Sequence, residues 1–318
     1  MDCQIEISGA TLKLTHLEKP YWPGITKGDL LAYWQKLASV ALPLLAGRPL
    51  SLVRYPHGWS GQSFWQKNLP STAPQWLSSY LHEGKTRYLV ADSPAALLWA
   101  VNQGAIELHP WASKVTAPSF PDYAILDLDP LPQWGFSQAR EAASAARRLA
   151  DELGLRLYPK TSGASGLHLY LPLVNRYPYP VVTGFMEKFC QIIANALPEL
   201  ATVERLVKNR QGKVYLDYLQ NLPGKTIVAA FCPRAVKGAT VSWPLSWEEL
   251  ADAEPQDFTI RTVPKLAPTE PWPGVLAGQT LEGALERLEL IELLRQIPHS
   301  GRLDSKAETQ PPPVPAEP

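Results

Sequence analysis

The chain has 318 residues, 45% hydrophobic and 19% charged, with 30 basic and 30 acidic side chains and a formal net charge of zero. That length supports one large domain or two lobes with a sizeable core. No apolar run reaches membrane-spanning length, the start Met-Asp-Cys-Gln-Ile-Glu lacks a signal-peptide pattern, and the scattered Cys3, Cys190 and Cys232 suggest neither a disulfide framework nor a zinc site. These features point to a cytoplasmic protein with no membrane partner. The 32 prolines argue for many loops. Net neutrality argues against a uniformly basic nucleic-acid binder. The charges are unevenly spread, however: residues 10–70 carry seven Lys/Arg against Glu18 and Asp29, and residues 160–240 carry ten against four acids. That distribution is compatible with a basic cleft, as it is with solvated faces.

In chain order, residues 4–14 alternate as a strand. Thr26-Lys-Gly-Asp opens a helix whose apolar positions Leu30, Leu31, Trp34, Leu37, Ala38 and Ala41 follow the 3.6 period, with Pro43 near its end. Residues 47–58 read as a strand between two turns, and Phe64-Trp65 sit next to each other on a strand, pointing opposite ways. A short helix over 94–100 precedes a strand over 104–111, which ends in His109-Pro-Trp. His109 is either a satisfied structural residue or a functional one.

Tyr123–Pro130 follows, Tyr-Ala-Ile-Leu-Asp-Leu-Asp-Pro, a short apolar strand stopped by proline. Side chains alternate, so Asp127 and Asp129 share a face about 6–7 Å apart. Such a pair is either solvated or neutralised by a hard cation such as Mg²⁺ or Mn²⁺. A helix over 137–153 ends at Gly154, and a strand over 155–158 runs into Lys160-Thr-Ser-Gly-Ala-Ser-Gly-Leu-His168, whose glycines allow backbone amides to approach a phosphate. A strand over 169–173, a helix over 179–197 and the basic stretch Arg205–Arg210 lead to the strand Lys213-Val-Tyr-Leu-Asp217-Tyr-Leu-Gln-Asn221. A further strand over 227–234, a helix over 281–296 and a Pro-rich tail over 300–318, expected to be disordered, complete the chain. The main domain is expected to span 1–299.

The three stretches holding Asp127/Asp129, Lys160–His168 and Asp217, in that order, resemble the three motifs of the archaeo-eukaryotic primase superfamily, and more narrowly the polymerase domain of bacterial ligase D. Lys19-Pro-Tyr-Trp-Pro, Gly24-Ile-Thr-Lys27, the strand around Arg54, Phe64-Trp65-Gln66-Lys67 and His109-Pro-Trp extend the resemblance over about residues 10 to 290. It implies an α+β, two-lobed primase-like fold with mixed and antiparallel sheets flanked by helices. It implies that Asp127, Asp129 and Asp217 hold two Mn²⁺ or Mg²⁺ ions and carry catalysis, and that Lys160, Ser162, Ser165, His168, Arg210 and Arg234 bind a nucleoside triphosphate. On the DNA side it implies Lys19 and Lys27 on a downstream 5′-phosphate, with Arg54, Phe64, Trp65, Lys67 and His109 contacting DNA.

Packing into the core is the alternative for one of the two aromatics, and ordinary surface placement is the alternative for the two lysines. Two departures stand out: Gln66 replaces an acid, and Ser165 a basic residue. The implied function is gap filling or end extension in double-strand break repair by non-homologous end joining. It carries a ribonucleotide preference and places the protein at the nucleoid with a separate ligase and a Ku-type end-binding protein. A primer-initiating primase and a non-catalytic end-bridging module are the alternatives.

Overall fold

A computed structural model describes residues 2–131, 135–266 and 272–297; the tail over 300–318 lies outside them. The chain begins with a hairpin, β1 (Cys3–Ile7) and β2 (Ala10–Leu14), rather than the single strand expected over 4–14. Ser8 and Gly9 both take positive φ, the requirement of a two-residue turn that follows strand twist. The short pair β3 (Pro20–Trp22) and β4 (Ile25–Thr26) delivers Thr26 as the N-cap of α1 (Lys27–Leu45). Thr26 Oγ1 accepts from the Asp29 amide and the Asp29 carboxylate accepts from the Thr26 amide, closing a capping box. The apolar positions read from the sequence are buried along α1, and Pro43 sits in its last turn.

The first large sheet is formed by β5 (Pro49–Arg54), β6 (Phe64–Gln66), β7 (Ser79–His82), β8 (Thr86–Val90) and β9 (Ala105–Pro110), ordered β6-β5-β8-β7 with β9 on β5. Helix α2 (Pro94–Asn102), capped by Ser93 with Pro94 in its first turn, has an almost continuous buried run against it. In the sheet register Val53 faces both Trp65 and Glu107, and Ser51 faces His109. One face therefore collects Trp65, Glu107 and His109.

The second large sheet contains β10 (Tyr123–Asp129). Helix α3 (Phe136–Glu152) lays an alanine stripe (Ala139, Ala142, Ala143, Ala146, Ala150) on the core. Leu155 N returns to Ala150 O across a left-handed Gly154, a helix-ending turn that delays β11 to Tyr158–Thr161 instead of 155–158. After β12 (Leu167–Pro172) come α4 (Tyr179–Ala196), β13 (Ala201–Thr202) and β14 (Val214–Asp217), which gives way to a 3₁₀ turn over Leu219–Asn221. The order is β11-β12-β10-β14-β13, antiparallel except for β13 with β14. The fold is thus α+β, with a mixed and an antiparallel sheet.

The strand expected over 227–234 is instead an irregular crossing. Phe231 adopts φ 65°, which interrupts a ladder. The crossing nevertheless ties the sheets together: Ala229 N reaches Leu108 O on β9, Phe231 N reaches Ser242 O, and Trp243 O accepts from Thr161 N on β11. Short helices α5 (Trp247–Leu250) and α6 (Val263–Leu266) follow. The helix expected over 281–296 is broken into α7 (Glu282–Arg287) and α8 (Ile291–Leu294) by a left-handed Glu289, with Leu290 N capping back to Leu285 O.

Asn221, 1% exposed, stands in for a strand partner of β10. Its Oδ1 accepts from Ile125 N at 2.8 Å, and its Nδ2 donates to Ile125 O at 2.7 Å and Tyr218 O at 2.9 Å. Asn221→Ala is expected to leave both Ile125 backbone groups buried and unpaired, lowering stability by about 2–4 kcal/mol in urea unfolding. A loss under about 0.5 kcal/mol would remove this role.

Candidate functional site: a carboxylate row beside a phosphate loop

Register builds the site. Lys160 pairs with His168, His168 with Asp127, and Asp127 with Asp217, so a single row of polar side chains crosses β11, β12, β10 and β14. Neighbours in such a row have Cβ atoms about 4.5–5.5 Å apart. Burial, then the Asp129 and Asp217 charges, pushes the Asp127 carboxyl up to about 7. Asp129 is raised as well, by burial first, against the pull of Arg210.

Each carboxylate currently has a protein partner. Asp127 Oδ1 lies 3.5 Å from His168 Nε2, and Asp129 Oδ2 lies 3.6 Å from Arg210 Nη1. Asp217 accepts from the Leu219 amide, the Tyr215 hydroxyl and Gln220 Nε2 at 2.9–3.2 Å. Accordingly, no three His, Cys, Asp or Glu side chains among the described residues converge on one ion position in this arrangement. Three hard oxygen donors on adjacent strand ends, with one carboxyl destabilised as an anion, still fit Mg²⁺ or Mn²⁺ in donor chemistry.

Lys160 does not face this space directly. It is fully buried, with Nζ 2.7 Å from His168 Nδ1 and 2.5 Å from Ser242 Oγ, over the Tyr170 ring at 5.6 Å. The Ser242 hydroxyl donates to Thr161 O, so Lys160 donates to Ser242. With the imidazole proton on Nε2, facing Asp127, His168 Nδ1 accepts from Lys160. Burial and Arg234 hold Lys160 well below the usual lysine range. Burial, Lys160 and Arg234 hold His168 low as well. The lysine thus meets the carboxylate row through His168.

The glycine-containing loop also differs from the sequence reading. Ser162 Oγ accepts from the Ala164 and Gly166 amides at 3.1 and 3.0 Å, so those amides turn inward. A Cβ at Gly163, where φ is +72°, would meet Arg234 Cγ at 2.6 Å and Ser242 N at 2.7 Å, and one at Gly166 would collide with Leu128 O. The glycines allow backbone packing under the loop rather than a nest of amides. Among the described residues the Ser162 hydroxyl proton has no acceptor. Ser165 is exposed at the loop tip.

Arg234 closes the loop from the side: Nη1 donates to Ser162 O at 2.7 Å and Nε to Glu107 Oε1 at 3.1 Å, with the side chain 22% exposed. Glu107 escaped the sequence reading because a single acid inside an apolar strand carries no motif. It is 7% exposed, accepts also from the Ala235 amide, and meets His109 Nε2 at 3.0 Å. Burial alone would raise its carboxyl, but His109, Arg234 and the amide outweigh burial and hold it down at about 2. Arg210 stacks over Tyr215 at 4.1 Å, which places its charge beside Asp129.

The residues expected on the DNA side form two groups. Phe64 and Trp65 are 45% and 55% exposed, so neither packs in the core. The Arg54 guanidinium lies over Phe64 at 5.1 Å and donates to Gln66 Oε1 at 2.8 Å, so Gln66 keeps an acceptor without the usual charge. Trp65 lies 4.8 Å from the His109 ring, which is 7% exposed, and Lys67 is exposed. Lys27 is 4% exposed rather than a surface lysine, and Nζ donates to Thr15 O at 2.6 Å. Burial first, then Lys19, lowers it to about 8, with Arg54 pushing the same way and Asp2 opposing. Lys19, half-buried, Lys27 and Arg54 thus form a mutually repelling cationic cluster beside the N-terminus of α1.

A family model described as LigD, primase-polymerase domain, matches residues 26–272. The bifunctional non-homologous end joining protein LigD of Bacillus subtilis is 39% identical over 240 residues, covering 75% of this chain and 39% of that protein. The multifunctional LigD of Pseudomonas aeruginosa is 35% identical over 273 residues, 83% of this chain and 32% of that protein. The chain therefore spans about a third to two-fifths of the length of these relatives. The polymerase domain from Mycobacterium tuberculosis ligase D, in complex with DNA, superposes with a TM-score of 0.77 at 32% identity, covering 88% of this chain and 98% of that one. With the carboxylate row and loop set in a shared fold, the chain belongs to the LigD primase-polymerase domain family, a nucleotidyltransferase-type polymerase.

Proposed function

We propose that this domain extends the 3′ end of a DNA or RNA strand on a template, filling gaps or extending ends during double-strand break repair by non-homologous end joining. It would act with a separate ligase and a Ku-type end-binding protein at the nucleoid, and prefer ribonucleotides and Mn²⁺. The observation that carries this reading is the convergence of the Asp127–Asp217 row with Ser162, His168 and Arg234. It puts acceptors for cations beside donors for a triphosphate. Asp127, Asp129 and Asp217 would hold two divalent ions, which supply charge neutralisation and a lowered pKa for the attacking 3′-hydroxyl. The protein's own groups bind and orient. The His168 Nε2–H, the Ser162 hydroxyl and the outer edge of Arg234 donate to phosphate oxygens, the arginine with the planar fork suited to them. Arg210, released from Asp129, would face the nucleotide or primer. Phe64 and Trp65 offer faces on which any base stacks, at about 1–3 kcal/mol each, with Arg54, Lys67 and His109 around them. The cluster of Lys19, Lys27 and Arg54 is relieved by a phosphate.

Asp127→Ala or Asp217→Ala is expected to reduce primer extension more than about 100-fold, at least 2.7 kcal/mol in the barrier, while DNA binding is kept or improved. Extension near the wild-type rate by either variant would overturn the assignment.

Asp127 also sets a pH dependence. Ion binding needs the carboxylate, so the apparent Mn²⁺ affinity should fall up to about tenfold per pH unit below about 7. In the ion-free protein the sign reverses. A carboxyl raised from 3.8 to about 7 favours the folded state when protonated, and this contribution is lost as pH rises through 7. Calorimetric titration with Mn²⁺ at pH 6 and 8, with Asp127→Asn as control, reads the effect; equal affinities would contradict it.

A gapped duplex with a downstream 5′-phosphate should bind about ten- to a hundred-fold more tightly than one without it, since charge-assisted bonds contribute roughly 1.5–3 kcal/mol. Lys19→Ala combined with Lys27→Ala should erase the difference. A uniform loss for both duplexes would mean that these lysines only attract the backbone.

A further inference from the structure

Trp65, His109, Glu107, Arg234 and Ser162 are linked in series from an exposed ring to the phosphate loop. The Trp65 ring lies 4.8 Å from the His109 ring, tilted by 57°. His109 Nε2 lies 3.0 Å from Glu107 Oε2, and Glu107 Oε1 accepts from Arg234 Nε at 3.1 Å and the Ala235 amide at 3.1 Å. Arg234 Nη1 then donates to Ser162 O at 2.7 Å. A carboxylate only accepts, so His109 carries its proton on Nε2 and donates it to Glu107. His109 and Glu107 are both 7% exposed and Trp65 is 55% exposed, so solvent or a ligand reaches the series at Trp65 and, through Arg234, at the loop.

We propose that Glu107 is a positioning residue through which a base stacked on Trp65 strengthens the grip of Arg234 on a nucleoside triphosphate. This rests on the polymerase reading above. A buried carboxylate held by His109 at Oε2 and by Arg234 at Oε1 is one rigid group, so a turn that alters its hold on one alters its hold on the other, and both hydrogen bonds are charge-assisted. A base on Trp65 fixes the ring that His109 packs against. That fixes the imidazole donor, and with it the carboxylate that aims the arginine. The two ligands are then coupled, and coupling is reciprocal: template should tighten nucleotide, and nucleotide should tighten template, by the same factor.

The test measures binding of ATP, with and without a template–primer ending in a 3′-deoxynucleotide and presenting thymine, so that no turnover occurs. The wild-type protein is expected to bind ATP at least five-fold more tightly on the template–primer. Glu107→Gln, which keeps the volume and an acceptor for Arg234 but lacks the charge, should cut that factor to below two while changing ATP affinity without DNA less than three-fold. Trp65→Ala alters an exposed ring, does not depend on the buried network for folding, and should lose the same coupling. Finally, Trp65→Ala and Arg234→Lys should be non-additive for the KM of ATP in the wild-type background and additive in Glu107→Gln. If Glu107→Gln weakens ATP equally with and without DNA, the residue is only a brace for Arg234 and the proposal fails. It fails as well if coupling is absent from the wild type or survives in both variants. Extension of an ordinary primer by the wild-type protein, read alongside, tests the polymerase reading separately.

Discussion

The structure depends on the antiparallel register of β10 with β12 and β14, which puts Asp127 between His168 and Asp217. A one-residue slip of β10 against either neighbour would turn Asp127 into the opposite layer and dismantle the row. Register is held from both ends of the strand. At Ile125 the Asn221 amide substitutes for a missing strand partner, and at Leu128 the close approach of Gly166 admits only hydrogen in place of a side chain. Ala124, Leu126 and Leu128 are buried in the core on the other face of the strand. The acids are therefore precisely placed by residues that touch no phosphate.

A row of buried polar groups is costly unless each is paired. Lys160, at the β11 end of the row, pairs with His168 Nδ1 and with Ser242, which is itself anchored to Thr161 O. Because Ser242 and Arg234 belong to the crossing between the sheets, the support for the carboxylates and the support for the loop arrive on one piece of chain. The same piece carries Tyr33 of α1 through Phe231 O and Trp22 through Val236 O. The DNA side and the nucleotide side are thus joined mechanically as well as by Glu107.

Much of this was legible in the sequence. Asp127 and Asp129 on one face followed from strand alternation, α1 from its period and cap, and the fold from the order of three motifs. What was illegible depended on tertiary context. Glu107 sits in an apolar run that looks the same whether its acid is a lone surface residue or a buried clamp. The resemblance implied Lys160 as a nucleotide ligand, but that its side chain is buried against His168 shows only in the pairing of β11 with β12. The strand expected over 227–234 failed because hydrophobicity records burial and says nothing of the left-handed Phe231. Glu289 broke the last helix for a similar reason, since nothing in its composition marks a non-glycine residue with positive φ.

The partners of the carboxylates come from the chain itself. Three acids at the ends of adjacent strands repel one another, and Asp127, raised to about 7 by burial first and by the Asp129 and Asp217 charges second, carries both costs. Asp129 and Asp217 are eased differently, by Arg210 and by the Leu219 amide with Gln220, groups that belong to the chain itself. Arg210 is itself fixed, with Nε and Nη2 donating to Glu204 O and Arg205 O at 3.2 and 3.0 Å and the guanidinium over the Tyr215 ring. The chain thus steadies Asp129 and Asp217 with its own groups.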